Sequence, residues 1–485
     1  MSETKRWTCE VCGYIHKGDA APEQCPVCGV DADQFVMSEI EIFQPKAGAG
    51  KWKCNVCGYI HEGETPPSSC PVCSVPSEHF TALDAPVAEG SSGSARKLVI
   101  IGAGVAGLTA AETAVSAPGT EVVLISKEVQ LPYYRLNLTR YLAGEVDAAS
   151  LVMKSDDWFN EHNVKLVYGD VVHIDRDEKQ VELRDGTRHS YDKLVISAGA
   201  HCFMPPIPGA NREGVFTLRT QKDAEDIIAA SKNAAHCVVI GGGLLGLEAA
   251  GALKKRGCNV TVLEGYGWLL PRQLPQKGGE LLKDVLQQED IHVVTSATTK
   301  ELLGDEAVQG ILLADGRTIE TDMVVVSTGV RANSYLARQC GLTVGNAILV
   351  DDQLRTNDPD IYAAGDVCEH RGVLYGIWPA SYLQGATAAA NALGAEQSFV
   401  GIARSNRLKV LDVDLFSIGV INPDDASCVV YEHQDGNQYR RLITRDGVLK
   451  GAVLIGDTSF AGQIQEAIEA NTALSNWPKL HQQFF

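Results

Sequence analysis

Eight of the fourteen cysteines fall within residues 9–73, in two units of identical spacing, Cys-x2-Cys-x12-Cys-x2-Cys. The second unit repeats the first at an offset of 45 residues. Four thiolates on two such knuckles can surround one ion tetrahedrally, and a tetrahedral sulfur site suits iron or zinc. A unit of roughly 30 residues also needs such a staple, because it is too small to hold a hydrophobic core alone. The predicted metal ligands are Cys9, Cys12, Cys25, Cys28, Cys54, Cys57, Cys70 and Cys73.

Two glycine-rich segments each follow an apolar strand and open an Ala-rich helix. This context is the one that a Gly-x-Gly-x-x-Gly motif needs in order to bind a dinucleotide. The glycines allow a tight turn and let a pyrophosphate reach the helix N terminus, where unpaired N–H groups and the helix dipole attract it. The predicted cofactor-binding glycines of the two turns are Gly102, Gly104, Gly107, Gly241, Gly243 and Gly246.

The acidic residue expected after the next strand differs between the two copies. In the second copy the strand ends at Glu264, which is placed to accept a hydrogen bond from a ribose 2′-hydroxyl. A phosphate would be repelled there, so the sequence favours NADH over NADPH. In the first copy the aligned position is Ser126, with Glu128 two residues later, and either side chain could meet a ribose hydroxyl. The alternative for Glu128 is a solvated charge at a strand end.

Composition limits the function classes. With 61 acidic and 42 basic residues among 485, the formal net charge is −19, which argues against a nucleic-acid partner. The N terminus has no apolar run of the secretory type, and the longest apolar stretch, residues 237–253, contains five glycines and Glu248. We therefore predict no membrane span and a cytoplasmic protein, in which dense cysteine indicates metal rather than disulfides.

The order of elements predicts the fold class. From residue 96 the succession of strand, glycine turn and helix occurs twice, which is typical of α/β domains with parallel sheets covered by helices. From about residue 408 the pattern changes to strands over 410–415, 428–431 and 439–444, with a helix-like run over 461–473. We expect a small α+β domain at the C-terminal end.

The N-terminal repeat resembles the short rubredoxin domains of rubrerythrins. The shared pattern is Trp-x-Cys-x-x-Cys-Gly-Tyr-x-His, then Cys-Pro-x-Cys and a later Phe, and it covers nearly all of residues 5–83. The resemblance implies one iron per domain, cycling between ferrous and ferric. Zinc ribbons used for docking are the alternative. His16 and His61 are interpreted as packing or hydrogen-bonding residues, since four sulfurs complete each site.

Residues 356–367, which include Gly365 and Asp366, resemble a motif of the FAD-dependent pyridine-nucleotide oxidoreductases. The resemblance extends over residues 96–400 and includes the segments 194–199, 269–272 and 328–333. It implies that Asp366 binds the flavin ribityl chain and that Gly365 and Gly329 belong to the cofactor-binding set.

The segment that begins Pro-Tyr-Tyr-Arg135 resembles the one that lies along the FAD in NADH:rubredoxin reductases and in ferredoxin reductases of oxygenase systems. That family has Arg and, five residues later, Lys; Arg135 and Arg140 stand at these positions here. The resemblance implies that Arg135 contacts the cofactor and that Arg140 pairs with Glu248 near the flavin. The alternative is that the two residues of this pair simply cap surface helices. Residues 378–385 resemble the helix that closes over the far edge of the flavin.

Residues 108–142 contain no cysteine, although disulfide reductases and NADH peroxidases of this superfamily carry theirs in this region. Thiol chemistry at the flavin is therefore disfavoured. The six scattered cysteines are interpreted as small buried hydrophobic residues. They are Cys202, Cys237, Cys258, Cys340, Cys368 and Cys428.

The predicted architecture is two nested dinucleotide-binding (Rossmann-like) FAD and NAD domains, preceded by two metal-stapled rubredoxin-like domains and followed by an α+β cap. The predicted boundaries are 5–38 and 50–83 for the rubredoxin-like domains, 84–95 for a flexible linker, 96–213 with 327–400 for the FAD-binding domain, 214–326 for the NAD-binding domain, and 401–485 for the cap.

The predicted function is that of an NADH-oxidising FAD enzyme, in which flavin converts a two-electron hydride donor into single electrons for iron. Electrons would pass to the chain's own Fe(Cys)4 centres and on to an external protein or small-molecule acceptor. The alternative is a flavin NADH oxidase or reductase that acts directly on oxygen, peroxide or another small acceptor, with zinc docking modules. Residues 1–95 carry 13 acidic and 6 basic residues, so docking of this segment predicts a basic patch on the flavin domain.

Overall fold

The computed structural model describes residues 96–402, 404–410, 413–423 and 426–473. Within the first 95 residues it describes 6–9, 15–17, 20, 22, 32, 35–38, 51–54, 60–63, 65–67, 77 and 80–82. The chain forms two compact units. The first contains the described residues of Met1–Tyr134, Val152–His201 and Ala332–Ile402, and the second those of Arg135–Leu151, Cys202–Arg331 and Ala403–Phe485.

The sequence repeat of the first 95 residues is also a structural repeat. Each copy contributes a three-stranded antiparallel sheet whose first strand lies in the middle. The strands are β1 (Arg6–Cys9), β2 (Ile15–Lys17), β3 (Phe35–Ser38), β4 (Lys51–Cys54), β5 (Ile60–Glu62) and β6 (Phe80–Ala82). The register repeats at the same offset, with the pairs Trp7–His16, Cys9–Phe35, Trp52–His61 and Cys54–Phe80.

The rest of the described chain alternates strands and helices. Its first part contains β7 (Arg96–Ile101), α1 (Val105–Val115), β8 (Thr120–Ser126), α2 (Leu138–Ala143), α3 (Asp156–Glu161), β9 (Val164–Tyr168), β10 (Val171–Asp175), β11 (Gln180–Leu183), β12 (Arg188–Ser190), β13 (Lys193–Ile196), β14 (Ala200–Cys202) and β15 (Val215–Phe216). The middle part contains α4 (Gln221–Ser231), β16 (His236–Ile240), α5 (Leu244–Lys255), β17 (Asn259–Leu263), α6 (Gln276–Gln288), β18 (Ile291–Val294), β19 (Thr299–Leu303), β20 (Gly310–Leu313), β21 (Thr318–Glu320), β22 (Met323–Val326) and β23 (Val330–Ala332). The last part contains α7 (Tyr335–Gln339), β24 (Ile348–Val350), β25 (Ile361–Ala363), β26 (Cys368–His370), α8 (Trp378–Ala392), β27 (Ser405–Val410), β28 (Val413–Gly419), β29 (Cys428–Asp435), β30 (Gln438–Arg445), β31 (Val448–Ile455) and α9 (Ala461–Glu469).

The first compact unit is built on a parallel sheet with the strand order β25-β13-β7-β8-β9. Strands β13, β7 and β8, in the middle of the sheet, contain continuous apolar runs, as expected where a sheet is buried on both faces. Helices α1 and α8 cover one face and pack backbone to backbone: a Cβ added at Gly385 would lie 2.1 Å from the carbonyl oxygen of Ala106. A small antiparallel sheet, β10-β11-β12, is part of the same unit.

The second compact unit repeats this architecture, with the order β15-β22-β16-β17-β18 and an antiparallel sheet of β19, β20 and β21. The predicted pair of Rossmann-like sheets is confirmed. The C-terminal segment forms a five-stranded antiparallel sheet, β27-β28-β31-β30-β29, against which α9 buries Ile464 beside Phe416 and Leu442. No helix in the described part of the chain has both the length and the hydropathy needed to cross a bilayer.

Candidate functional site

The first glycine turn joins β7 to α1 in the first compact unit. Gly102 has φ +100°, and a Cβ there would lie 2.3 Å from the carbonyl oxygen of Ser197. A Cβ at Gly107 would lie 1.8 Å from the carbonyl oxygen of Gly102. At Gly104 a Cβ would meet no protein atom within 4 Å, so the space above this residue is open. Helix α1 has no side-chain cap, and its first N–H groups are therefore available to an anion.

The second glycine turn, between β16 and α5, has the same geometry in the second compact unit. Gly241 has φ +115° and a Cβ there would lie 2.2 Å from the carbonyl oxygen of Ser327. A Cβ at Gly246 would lie 2.0 Å from the carbonyl oxygen of Gly241, while the position at Gly243 is open. Helix α5 also lacks a side-chain cap. Two turns of one shape, each open at the central glycine, fit the pyrophosphates of two dinucleotides.

Glu264 directly follows β17 and is 7% exposed. The N–H of Gly242 donates to its Oε2 at 2.8 Å, and the N–H of Tyr266 donates to its Oε1 at 2.8 Å. These bonds fix the carboxylate beside the second glycine turn. Because each oxygen has two lone pairs, both can still accept a ribose hydroxyl. This geometry fits the adenosine ribose of a bound NAD.

The first copy differs at the corresponding position. Gly102 N–H donates to the carbonyl of Ile125 at 2.8 Å, as Gly241 N–H does to that of Leu263, so Ser126 is the structural counterpart of Glu264. The Ser126 hydroxyl donates to the carbonyl oxygen of Glu128 at 2.7 Å.

The Glu128 carboxylate is also fixed in place. Tyr133, which sequence reasoning missed, donates its hydroxyl to Glu128 Oε2 at 2.6 Å. An acid held by an aromatic hydroxyl two residues after β8 fits the ribose role better than a mobile surface charge does.

Helix α8 lies beside the Gly365–Asp366 segment. The N–H of Gly365, which has φ +82°, donates to Oε1 of the buried Gln384 at 2.9 Å. The amide nitrogen of Gln384 and the indole nitrogen of Trp378 are buried with no hydrogen-bond partner among the described residues. Two orphaned donors on one helix fit a ligand that presents acceptor atoms, as the flavin ring does. Asp366, at the end of this segment, is partly buried.

Arg135 and Gly329 lie in the second compact unit. The Arg135 guanidinium donates to the carbonyl oxygen of Arg219 at 2.8 Å. Gly329 has φ +106°, accepts a backbone hydrogen bond from Phe203 at 2.8 Å, and would present a Cβ to open space. Their cofactor roles stay predictions.

The predicted ion pair between Arg140 and Glu248 is not the contact that the structure shows. Helix α2 packs on α5, and Thr139 donates its hydroxyl to Glu248 Oε2 at 3.1 Å. Arg140 Nε donates instead to Glu145 Oε2 at 3.1 Å, and Lys255 pairs with the other oxygen of Glu145. Successive helical residues point about 100° apart, which directs Arg140 to a different side of α2 from Thr139.

Glu248 is partly buried. Among the described residues, its carboxylate accepts a hydrogen bond from the hydroxyl of Thr139. Desolvation by burial raises its pKa to about 7, and the hydrogen bond from Thr139 offsets only part of that rise. A carboxyl group of this kind changes its charge near neutral pH, as acids and bases of active sites do.

Among the eight predicted metal ligands, the side chain of Cys54 at the end of β4 is described, and it is fully buried. Cys9 ends β1, and its side chain is outside the described set. The other six, Cys12, Cys25, Cys28, Cys57, Cys70 and Cys73, lie outside the described residues.

The described parts of the second metal unit show how its sheet is held. The indole N–H of Trp52 donates to the carbonyl of Gly63 at 3.1 Å. A Cβ at Gly63 would lie 2.9 Å from the ring of His61, so this imidazole lies close against the turn.

The scattered cysteines divide into two groups. Cys237, Cys258 and Cys368 are buried as predicted, whereas Cys202, Cys340 and Cys428 are only partly buried. Burial raises the pKa of the Cys368 thiol, which donates to Gln384 Oε1 at 3.5 Å. A thiol held in its protonated form is a poor nucleophile, so burial disfavours nucleophilic chemistry at Cys368.

Residues 96–392 match the family model of the pyridine nucleotide-disulphide oxidoreductases, which covers more than half of the chain. The chain belongs to this family. Residues 405–472 match the rubredoxin NAD+ reductase C-terminal domain, and residues 7–36 and 52–81 each match the rubredoxin-like domain of rubrerythrin. The predicted fusion of rubredoxin-like domains to a flavoprotein reductase is confirmed at the level of domains.

Among characterised relatives, the chain is 30% identical over 381 residues to an NADH-rubredoxin oxidoreductase of Clostridium acetobutylicum, covering 78% of this chain and 96% of the relative. The crystal structure of NADH:rubredoxin oxidoreductase from that organism superposes with a TM-score of 0.68 at 29% identity, over 78% of this chain and 96% of the other. A nitrite reductase [NAD(P)H] of Bacillus subtilis is 35% identical over 392 residues, which is 79% of this chain. The chain spans about half the length of that relative, 48%.

Proposed function

We propose that this chain oxidises NADH with a bound FAD and passes the electrons to its own two rubredoxin-type iron centres, from which an external acceptor takes them. The observation that carries the proposal is the pair of equivalent glycine turns in a chain that also has two rubredoxin-like tetrads. One turn is accompanied by the fixed carboxylate Glu264, the other by Glu128.

When bound, FAD would supply the chemistry that joins NADH, a two-electron hydride donor, to iron, a one-electron acceptor. The chain supplies binding and orientation. The turn at Gly104 and the first N–H groups of α1 would hold the FAD pyrophosphate, with Glu128 on its ribose and Asp366 on its ribityl chain. On helix α8, Gln384 and Trp378 would donate to acceptor atoms of the ring.

The turn at Gly243 and the N terminus of α5 would hold the pyrophosphate of NADH, with Glu264 on the 2′- and 3′-hydroxyls of its adenosine ribose. A 2′-phosphate at that place would meet the negative charge of Glu264, and this supports NADH over NADPH. Glu248, whose pKa lies near 7, would hold or release a proton on the helix that follows this turn.

The eight cysteines would hold two metal ions, one in each repeat. The same four-sulfur sets suit iron and zinc, and only iron can relay electrons. Arg135 would contact the FAD, as the resemblance implies, and Arg140 is held by its ion pair with Glu145.

Stopped-flow reduction of the intact, metal-loaded protein by NADH tests the proposal. We expect the flavin and ferric-thiolate absorption bands both to bleach at rates that match turnover. Cys9→Ser and Cys54→Ser should each remove part of the ferric signal, while Cys340→Ser, a change outside both tetrads, should remove none. Ferric centres that fail to reduce at the turnover rate would exclude the relay, and native protein containing zinc without iron would support the docking-module alternative.

A further inference from the structure

Within the first compact unit, the second metal unit contacts helices α1 and α8 through Lys51, the first residue of β4. Its ammonium nitrogen lies 3.0 Å from Glu112 Oε2 on α1 and 5.5 Å from the ring centroid of Tyr382 on α8. The Lys51 and Glu112 side chains are 23% and 14% exposed. Because Cys54 ends the same four-residue strand, this contact fixes the position of a predicted metal ligand relative to both helices.

The Glu112 carboxylate that pairs with Lys51 is held in place by a second lysine. Lys154 Nζ lies 3.1 Å from the other oxygen of Glu112 and 5.2 Å from the ring centroid of Trp158. Glu112 therefore binds one ammonium group from its own domain and one from the metal unit. The two side chains are partly removed from water, so this pair is screened less by solvent than a fully exposed ion pair.

The contacted helices are the ones that carry the predicted flavin site. Helix α1 begins at the glycine turn, and Tyr382 is one helical turn from Trp378 on α8. The close approach of Ala106 and Gly385 joins the two helices into one surface. A metal unit that contacts Glu112 and Tyr382 therefore lies against the two helices that carry the first glycine turn and the orphaned donors.

At the matched position the two repeats carry different basic residues. The first copy has Arg6 where the second has Lys51, at the same place in its central strand. The sequence predicts a basic patch on the flavin domain that would receive the acidic N-terminal segment. The charges in the described contact are arranged the other way round. The described contact joins a base of the acidic N-terminal segment to an acid of α1, and Lys154 supplies the positive charge beside it.

Resting on the proposed function, we infer that the second rubredoxin-like unit docks on α1 and α8 through Lys51, and that its metal is the first to receive electrons. One NADH gives up a hydride and becomes NAD+, two ferric centres become ferrous, and one proton is released. Lys51 is a positioning residue in this sequence of transfers.

Charge reversal at matched positions of the two repeats tests the inference. In the iron- and FAD-loaded full chain, Lys51→Glu should slow the NADH-driven bleaching of the ferric band about tenfold, since the ion pair is replaced by repulsion. The rate of flavin reduction should stay unchanged. Arg6→Glu, the matched control, should leave both rates unchanged, and adding Glu112→Lys to Lys51→Glu should recover part of the lost rate.

Equal effects of Lys51→Glu and Arg6→Glu, or no effect of either, would overturn the inference while the proposed function stands. Absence of ferric bleaching in the wild-type protein would instead overturn the proposed function. The single-iron variants add a second comparison: Cys9→Ser should keep the fast ferric phase, and Cys54→Ser should lose it.

Carbodiimide cross-linking of the same holoprotein gives a readout that is independent of electron transfer. Peptide mass spectrometry should find Lys51 joined to Glu112, and Glu112→Gln should abolish that product. The pair Lys97–Glu121, 3.2 Å apart within the first compact unit, serves as the internal control. A Lys97–Glu121 product without any Lys51–Glu112 product would contradict the docking.

Discussion

Thr139 on α2 donates its hydroxyl to Glu248 on α5 at 3.1 Å, at the place where an arginine had been expected. Hydrogen bonding by a hydroxyl stabilises the charged carboxylate less than an adjacent guanidinium would. Glu248 consequently keeps a pKa of about 7 instead of the low value that an ion pair would produce.

The first prediction concerns the pH dependence of flavin reduction by NADH. Ionised Glu248 opposes the negative charge that a hydride brings to the cofactor, so the rate should fall as pH rises through about 7. Glu248→Gln should remove this limb from a stopped-flow pH profile. Thr139→Val should move it upward by about one pH unit, because the lost hydrogen bond favoured the charged form. Glu145→Gln, which changes the Arg140 contact, should leave it in place; an unchanged limb in Glu248→Gln would refute the assignment.

The second prediction concerns stability. The pKa of Glu248 is higher in the folded protein than in the unfolded chain, so the folded state binds more protons between pH 4.5 and about 7. Its contribution to the free energy of unfolding therefore declines as pH rises through this range, by about 2 kcal/mol for a partly exposed group. The difference in melting temperature between Glu248→Gln and wild type should grow in favour of the variant from pH 5 to pH 8. A constant difference would show that Glu248 keeps an ordinary pKa.

The third prediction concerns the choice of nucleotide. Glu264→Gln replaces one carboxylate oxygen by an amide nitrogen. Either the N–H of Gly242 or that of Tyr266 then loses its acceptor. We expect KM for NADH to rise about tenfold or more with kcat little changed, since the ribose contact is made equally in ground and transition states. The preference for NADH over NADPH should shrink, because the repelling charge is gone. Steady-state kinetics with both nucleotides measure this, and a variant that keeps the full preference would contradict the role of Glu264.

The fourth prediction separates folding from cofactor binding within one glycine turn. Gly102→Ala puts a methyl group 2.3 Å from the Ser197 carbonyl oxygen at φ +100°, and should lower the free energy of unfolding by about 2 kcal/mol or more. Gly104→Ala meets no protein atom, so the apoprotein should melt at the wild-type temperature. Its methyl group would occupy the space left for the pyrophosphate, and retention of FAD should fall. Equal FAD content in Gly104→Ala and wild type would show that the cofactor lies elsewhere.

Local rules explain why much of the fold could be predicted. Each glycine turn is specified by about ten consecutive residues: an apolar strand, a glycine that needs positive φ, and the start of an Ala-rich helix. Both turns have the expected form. The partner of Glu248 could not be predicted in this way. Whether Thr139 or Arg140 faces α5 depends on the rotation of α2 about its axis, which tertiary packing sets. The contacts of Gln384 and Lys51 join residues 19 and 61 positions apart, and no short-range pattern encodes them. The domain boundaries and the individual cofactor contacts stay predictions.

Glu112 pairs with both Lys51 and Lys154, and this affects how readily the second metal unit can leave α1. When Lys51 leaves, Lys154 still compensates the carboxylate, so separation does not strand a buried charge. The docked and released states of the second metal unit would thus differ little in free energy. Added salt screens the Lys51–Glu112 ion pair and should favour the released state. A carrier held in this way can alternate between loading at the flavin domain and delivery elsewhere, with ionic strength setting the share of time spent in each.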